Sequence, residues 1–511
     1  MSTSHRRRAD ISTRWLLRVL VAILLVAVAG VVIVLASPEQ HTPGAPGAHP
    51  SVPAPPASIS PSPAVAGKKH NIVMIVTDDM RTDELAYLPH VQQLLVDRGV
   101  WFTKAISPHP LCCPARAELT TGEYAQNNGV HHNEGPYGGF PSLIDPNDNL
   151  GLWLQGAGYY TAFVGKYLNS YVGQERISGW DMWKPAVRHV YTYDAVRYYH
   201  GPLIHGYVAS TTTRFTNRAI RAGHRSGRPF YVVSNYLAPH DTVWGSTISL
   251  PVPAPKYAHA CDSLQPGFLQ NPAFLKATVN GLPAGMSSPV LATDHYVAES
   301  RTRICALRSV DDGVAKIVRT LERTGELADT DIVFLSDNGF NLGEHQLNGK
   351  NWITDESLDV PIVVTGPDFP SGVESQVPVN LVDIPATYLQ IAGAYAGRPQ
   401  DGLSLLDLLH ASKPLRDTML VQTGDDVDDT TPGFAFRGVT TTRYLYAVNP
   451  SDPSSGLLFD RRVDPDGLTN VFTDPRYLEV RTALQARLDI LSTCSGSNCN
   501  QVFGPLPQPR P

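Results

Sequence analysis

The stretch from Asn71 to Asp79 reads NIVMIVTDD, an apolar, β-branched run that ends in two adjacent carboxylates. A run with no polar alternation describes a strand covered on both faces, as in a buried parallel sheet. Similar runs recur at Tyr160–Val164, Pro229–Asn235, Thr330–Leu335 (TDIVFL) and Pro361–Thr365. Leu88 to Arg98, closed by Gly99, and Ser309 to Thr324 carry helical periodicity. Strands alternating with helices predict an α/β sheet with parallel strands and right-handed crossovers. In such sheets ligands bind beyond the carboxyl ends of the strands.

Two of those ends are acidic: Thr77-Asp78-Asp79 and Ser336-Asp337-Asn338-Gly339. Adjacent carboxylates repel unless a cation neutralises them. Each pair also has an ordinary reading, as the cap of the next helix or as a turn. Both at matching ends of one sheet would make an all-oxygen site of three carboxylates and an amide, suited to Ca2+ or Mg2+. Zinc is disfavoured, because no His/Cys cluster has ligand spacing.

The chain has 511 residues, 42% hydrophobic and 17% charged, so most of it can bury a large core. A net charge of −6 lacks the basic footprint of a nucleic-acid binder, and six cysteines are too few for a disulfide scaffold. Residues 1–18 carry Arg6, Arg7, Arg8, Arg14 and Arg18, ahead of the unbroken apolar run Val19 to Ala36. The bias predicts a cytoplasmic N-terminus with the body outside. Core length favours an uncleaved signal anchor at 19–36 over a signal peptide cut after Ala36. Residues 37–67, with nine prolines from Pro38 to Pro63, read as an extended spacer. The Pro-rich end from Gly504 to Pro511 reads as frayed.

The most specific segment is Leu111 to Gly122, LCCPARAELTTG. The vicinal pair Cys112-Cys113 reads as a buried couple or a redox site, but vicinal cysteines rarely bond and a C-x-x-C spacing is absent. Cys112-x-Pro114-x-Arg116 followed by Thr121-Gly122 resembles the signature of the sulfatase family, within the alkaline-phosphatase-like superfamily. The resemblance spans about Lys69 to Thr473. It implies a sandwich with a large, mostly parallel central sheet flanked by helices, and a smaller C-terminal antiparallel sheet with a helix. It also implies a catalytic domain over 68–404, a subdomain over 405–493 and a tail over 494–511. Short strand signals at Thr418–Val421, Phe434–Val439, Tyr444–Val448 and Leu457–Asp460, then a helix over Pro475–Leu491, agree with that subdomain.

Residue by residue, the resemblance makes Cys112 the precursor of formylglycine (3-oxoalanine) and Asp78, Asp79, Asp337 and Asn338 metal ligands, with residue 112 adding an oxygen. Ca2+ is the implied ion and Mg2+ its alternative. Arg116 would orient the formylglycine. Lys166 in Gly165-Lys166, His240 in Ala238-Pro239-His240 and Lys350 in Asn348-Gly349-Lys350 would bind sulfate, and His240, with Lys350 as competitor, would protonate the leaving oxygen. A formylglycine-generating enzyme is the implied maturation partner and the N-terminal helix the membrane contact.

One departure stands out. Many sulfatases read G-K-x-H, whereas this chain reads Gly165-Lys166-Tyr167-Leu168-Asn169. The G-K-Y-L-N form resembles the branch with N-acetylglucosamine-6-sulfatases and related carbohydrate sulfatases. Asn169 and His345 are the candidates to replace the absent histidine, and His345 reads equally as a residue behind the site. A sulfated carbohydrate is the implied substrate. The alternatives are a phosphonate monoester hydrolase or phosphodiesterase of the same superfamily, and a non-catalytic surface sugar-binding protein. Leu250 to Leu291, rich in proline, reads as an insertion at the site's mouth. Trp101, Trp180, Trp183 and Trp244 are candidate sugar-stacking residues, although such a residue is more often core. Cys494 with Cys499, and Cys261 with Cys305, are candidate disulfides for an exported protein.

Overall fold

The structure is a computed structural model that describes residues 69–425 and 433–510. The anchor expected at 19–36 and the spacer expected at 37–67 lie outside the described residues. No helix among the described residues is long and apolar enough to cross a membrane.

The central sheet has ten strands. In chain order they are β1 (Asn71–Asp78), β2 (Val100–Phe102), β3 (Tyr160–Gly165), β4 (Met182–Arg188), β5 (Ala195–Tyr198), β6 (Leu203–His205), β7 (Phe230–Pro239), β8 (Thr330–Ser336), β9 (Ile362–Thr365) and β10 (Val373–Ser375). Their spatial order is β10-β2-β9-β8-β1-β7-β3-β4-β5-β6. From β8 through β1, β7 and β3 to β4 every pairing is parallel, as the apolar runs require. The run at 361–365 enters the sheet antiparallel, between β8 and β2.

Alternate residues of β1 feed two cores. Ile72, Met74 and Val76 pack with α1 (Cys112–Thr121), while Val73 and Ile75 face α2 (Val208–Ser226) and α3 (Thr293–Thr324). The helix read from Ser309 starts at Thr293, because its first turns bury Glu299, Ser300 and Arg303 among the apolar residues. The helix read over 88–98 is present over 89–96, as an α-helical turn at Pro89–Val91 that runs on into the wider π-type turn at Gln92–Val96. Pro89 disfavours helical backbone at Leu88, whose ψ is 81°, so one turn ends there and another begins.

α4 (Asp383–Ala392) covers the first face again. The C-terminal part is an antiparallel sheet of β11 (Met419–Gly424), β12 (Phe434–Thr440), β13 (Tyr444–Asn449) and β14 (Asp452–Asp460). Against it α5 (Leu478–Leu491) lays Val480, Leu484, Leu488 and Leu491. The disulfide Cys261–Cys305 ties the proline-rich insertion to α3, and Cys494–Cys499 closes the loop after α5. The end of the chain is not frayed as its composition suggests: Gly504 N–H donates to Asp417 at 2.8 Å, and Arg443 reaches Gln508 at 2.6 Å.

Arg416 joins the two parts of the body. Its buried guanidinium pairs with Asp383, which also accepts from the N–H groups of Asn380 and Leu403 at 2.8 Å each. Removing one partner of a buried pair strands a charge. Arg416→Ala should therefore cost about 3–5 kcal/mol in denaturant unfolding, and a loss near zero would show that the pair holds nothing together.

Candidate active site

Four neighbouring parallel strands build the site. β8, β1, β7 and β3 stand side by side, and each passes its next residues over its carboxyl end to one place. β8 delivers Asp337 and Asn338, β1 delivers Asp78 and Asp79, β7 delivers His240 and β3 delivers Lys166. Register makes them meet, since Thr77 lies opposite Ser336, Asp78 opposite Pro239 and Gly165 opposite Asn235. Asp79 turns back at φ 72°, a left-handed conformation that Asp tolerates, and the turn keeps both β1 carboxylates at the same spot.

The first turn of α1 enters the cluster from above the sheet. Cys112 and Arg116 are one helical turn apart and so share a face. The Cys112 Sγ lies 3.4 Å from Asp78 Oδ1, 3.9 Å from Asp79 Oδ1 and 2.8 Å from Lys350 Nζ. Arg116 Nε donates to Asp337 Oδ2 at 2.8 Å, Nη1 donates to the Lys166 carbonyl at 3.1 Å, and Nη2 stands 3.5 Å from Asp78. Lys166 Nζ bonds Asp78 Oδ2 at 2.5 Å, and Lys350 Nζ bonds Asp79 Oδ1. Lys350 sits on a hairpin whose next residue, Asn351, exchanges two hydrogen bonds with Gly424 of β11, at 2.9 and 3.0 Å. The C-terminal sheet thus fixes the hairpin that carries Lys350.

Electrostatics follow from burial. Desolvation works against the Asp78 carboxylate, yet Lys166 and then Arg116 prevail and hold it far below the usual range. Desolvation, then Lys350 and His240, act in the same way on Asp79, with the net shift downward. Asp337 is pushed up to about 7 by burial and by Asp78. Burial and Asp78 push the Cys112 thiol up to about 12, so it stays protonated and is a poor nucleophile as it stands. His240 is pushed down to about 4 by burial and by Lys350. Its Nδ1 is held by the Asp241 carbonyl at 2.7 Å, so Nε2 faces the cluster, 3.8 Å from Asp79.

The residues fit a hard divalent cation. Asp78, Asp79, Cys112 and His240 each offer an atom within 4.8 Å of the others. Asn338 adds a buried Oδ1 with no hydrogen-bond partner, while its Nδ2 donates to Asp79 at 2.9 Å. An orphaned amide oxygen beside three carboxylates is a donor set for Ca2+ or Mg2+. A second trio, His70, Asp331 and Asp368, lies at the amino ends of β1 and β8 and takes no part here.

Cys112, Arg116, Asp78, Asp79, Asp337, Asn338, Lys166, His240 and Lys350 all arrive at this cluster. The substitutes for the absent histidine fare differently. His345 bonds Thr278 at 3.2 Å and stands 3.6 Å from Glu356, facing a separate cavity. Asn169 lines the cavity beside Lys166, with a buried Oδ1 that has no partner. Trp180 and Trp183 are core, Trp101 packs against core, and Trp244 is 64% exposed. Sequence reading missed Tyr191, whose ring lies 4.8 Å from Lys166 Nζ and 5.0 Å from the His240 ring; nothing in its neighbourhood marked it. It also missed Arg303, wholly buried, which grips Glu84 at 2.7 Å and the Asp79 carbonyl. An arginine on the apolar stripe of α3 was the available signal.

Acids, an amide and cations gathered around a helix-borne cysteine, at the carboxyl ends of a parallel sheet, define an alkaline-phosphatase-like hydrolase, a class that acts on esters of tetrahedral oxyanions. The chain belongs to the sulfatase family: the Sulfatase family model matches residues 70–394, and the model for the N-sulphoglucosamine sulphohydrolase C-terminal region matches 343–493. It is thereby a sulfuric ester hydrolase. It is 30% identical over 387 residues to the Caenorhabditis elegans homologue of extracellular sulfatase Sulf-1, covering 70% of this chain and about half (53%) of that protein's length. It is 29% identical to human N-acetylglucosamine-6-sulfatase, over 86% of this chain and 88% of that one. A solved structure in complex with its substrate D-glucosamine-2-N,6-O-disulfate superposes with TM-score 0.68 at 20% identity, covering 83% of this chain and 97% of that one. The phosphonate monoester hydrolase of Agrobacterium radiobacter superposes at 0.64 with 21% identity, over 83% and 95%. At these identities the two structures speak for the fold.

Proposed function

We propose that this protein removes sulfate from a sulfated carbohydrate outside the cytoplasm, with a formylglycine made from Cys112 and a divalent cation, Ca2+ before Mg2+, held by Asp78, Asp79, Asp337 and Asn338. The observation that carries the reading is the setting of Cys112, with two carboxylates and the Lys350 ammonium within 4 Å of a sulfur that burial keeps protonated. Oxidised and hydrated, residue 112 would supply a geminal diol, one hydroxyl to attack sulfur and the other to expel sulfate, with the cation lowering the pKa of the attacking group.

The chain's own residues do the rest. Arg116, anchored on Asp337, orients residue 112 and offsets charge. Lys166 and Lys350 hold the equatorial sulfate oxygens in a site sheltered from water, where such contacts are worth several kcal/mol. His240 is neutral at rest; the charge of a bound sulfate ester favours a proton on Nε2, and the weak hold on that proton makes it a ready donor to the leaving oxygen. Cys112 is 1% exposed in the folded chain, so the maturation enzyme would act before folding. Residues 68–404 would form the catalytic domain, with 405–493 walling it. The phosphonate and phosphodiester alternatives share the fold; the family match favours sulfate over them, and the filled cation set favours catalysis over mere sugar binding.

Mass spectrometry of active protein should find an aldehyde at residue 112 and a thiol at Cys113, with turnover lost on chelation and restored by Ca2+. Cys112→Ala should abolish aryl sulfate turnover while the fold survives, and full activity in that variant, or faster turnover of a phosphodiester than of an aryl sulfate, would sink the assignment. Leaving-group dependence separates the two candidate acids. His240→Ala should lose about 10²-fold or more on alkyl sulfates and far less on a nitrophenyl sulfate. Lys350→Ala should suffer on both alike; the reverse pattern would move the acid to Lys350. The extracellular sulfatase homologue supports an exported body, and the arginine bias before 19–36 supports a tether. Protease added to intact cells should release the body, and soluble full-length protein would rule the tether out.

A further inference from the structure

A cavity of about 400 Å³ opens from Lys166 away from the cation cluster, within the ~300–1,000 Å³ usual for small-molecule sites. Its walls are the segments 166–172 and 186–192 and the tip of a hairpin at 243–245. Tyr191 forms the threshold, since its ring touches both Lys166 and His240. Val243 N–H donates to the Tyr191 carbonyl at 3.0 Å, so the hairpin is tied to that threshold.

Two features of the walls await a ligand. The first is Trp244, 64% exposed at the hairpin tip, with its ring 5.3 Å from the His189 ring. A large aromatic left in water beside a cavity is a stacking platform in search of a flat apolar face, which a pyranose ring supplies. The second is charge. The lining holds Lys166, Arg188 and His189 and no acid. Arg188 stands across the strand pair from Arg197, like charges whose opposition costs stability, and its guanidinium makes no ion pair or hydrogen bond among the described residues. His189 takes a left-handed φ of 54°, a conformation that His, like Asp, adopts more readily than most residues.

We propose that this cavity is a subsite for an anionic sugar residue linked to the one that loses its sulfate, stacked on Trp244 and drawn in by Arg188 and His189. The inference rests on the reading of the chain as a carbohydrate sulfatase. It deepens that reading, because the substrate becomes a chain of anionic sugars rather than a single sulfated unit. A carboxylate on a uronic acid and a sulfate on a second amino sugar carry the same chemistry, so both belong in the test.

The experiment compares kcat/KM of the matured enzyme on a nitrophenyl sulfate, a sulfated monosaccharide, and disaccharides whose neighbouring sugar is neutral, carboxylated or sulfated. Wild type should prefer an anionic disaccharide to the monosaccharide by about tenfold or more, mainly through KM. Trp244→Ala should lower the ratio of disaccharide to aryl sulfate kcat/KM about tenfold, and Arg188→Ala should erase the preference for an anionic over a neutral neighbour. Which anionic disaccharide leads identifies the source of the charge. Equal use of monosaccharide and disaccharides by wild type, or equal losses on aryl sulfate and disaccharide in both variants, would overturn the subsite. Wild type that cleaves no sulfate ester would instead overturn the sulfatase reading. In that case quenching of tryptophan fluorescence by the anionic disaccharides, absent in Trp244→Ala, still decides whether the cavity binds them.

Discussion

Three buried carboxylates set the terms for everything around them. Asp78, Asp79 and Asp337 sit within one water-poor pocket, and none of the three could stay there ionised without compensation. The chain answers with Arg116, Lys166 and Lys350, one on α1, one beyond β3 and one on a hairpin held by the C-terminal sheet. Each acid therefore has a base within reach, and Arg116 lies between Asp337 and Asp78. Each base reaches its acid only if a different piece of the fold is in place, so the charge balance of the site reports on the assembly of the whole body. Arg303 extends the same logic into α3, where it holds the Asp79 carbonyl and Glu84 together.

That balance also describes what the site is ready to accept. Lys166 and Lys350 rest on the carboxylates that a divalent cation would claim. Under the proposed function the two guests would be complementary: carboxylates given to a cation leave ammonium groups for an anion. Arg116 is not exchanged in this way, since its bonds to Asp337 and to the Lys166 carbonyl tie it to the scaffold. The ammonium groups of Lys166 and Lys350 instead bond the Asp78 and Asp79 carboxylates and the Cys112 sulfur.

The strands, the acidic ends and the signature around Cys112 were legible because each depends on residues close in sequence. Apolar runs identify buried strands regardless of what pairs with them. Their direction is not legible in the same way: β9 reads like the parallel strands yet runs against β8, because orientation is set by the connection rather than by the run itself. The antiparallel extension β4-β5-β6 went unread, as its mixed polar and aromatic residues match neither period well. The terminal segment misled for a related reason. Proline-rich composition excludes regular structure, but it does not exclude pinning by side chains such as Arg443 and Asp417.

The absent histidine shows where local reading stops. Leu168 occupies that position in the G-K-x-H pattern, and it is 4% exposed within the apolar core. Tyr167 beside it packs edge-on against Phe163, Tyr171 and Trp183, at 5.1–5.3 Å. The segment after Lys166 is therefore given over to packing, and a histidine at 168 would bury an imidazole in hydrocarbon. What it leaves toward the cavity is Asn169, an amide with an orphaned oxygen. The same aromatic cluster backs the wall behind Lys166. A packed apolar wall thus stands where the G-K-x-H pattern places an imidazole, and the polar group it leaves at the cavity is an amide.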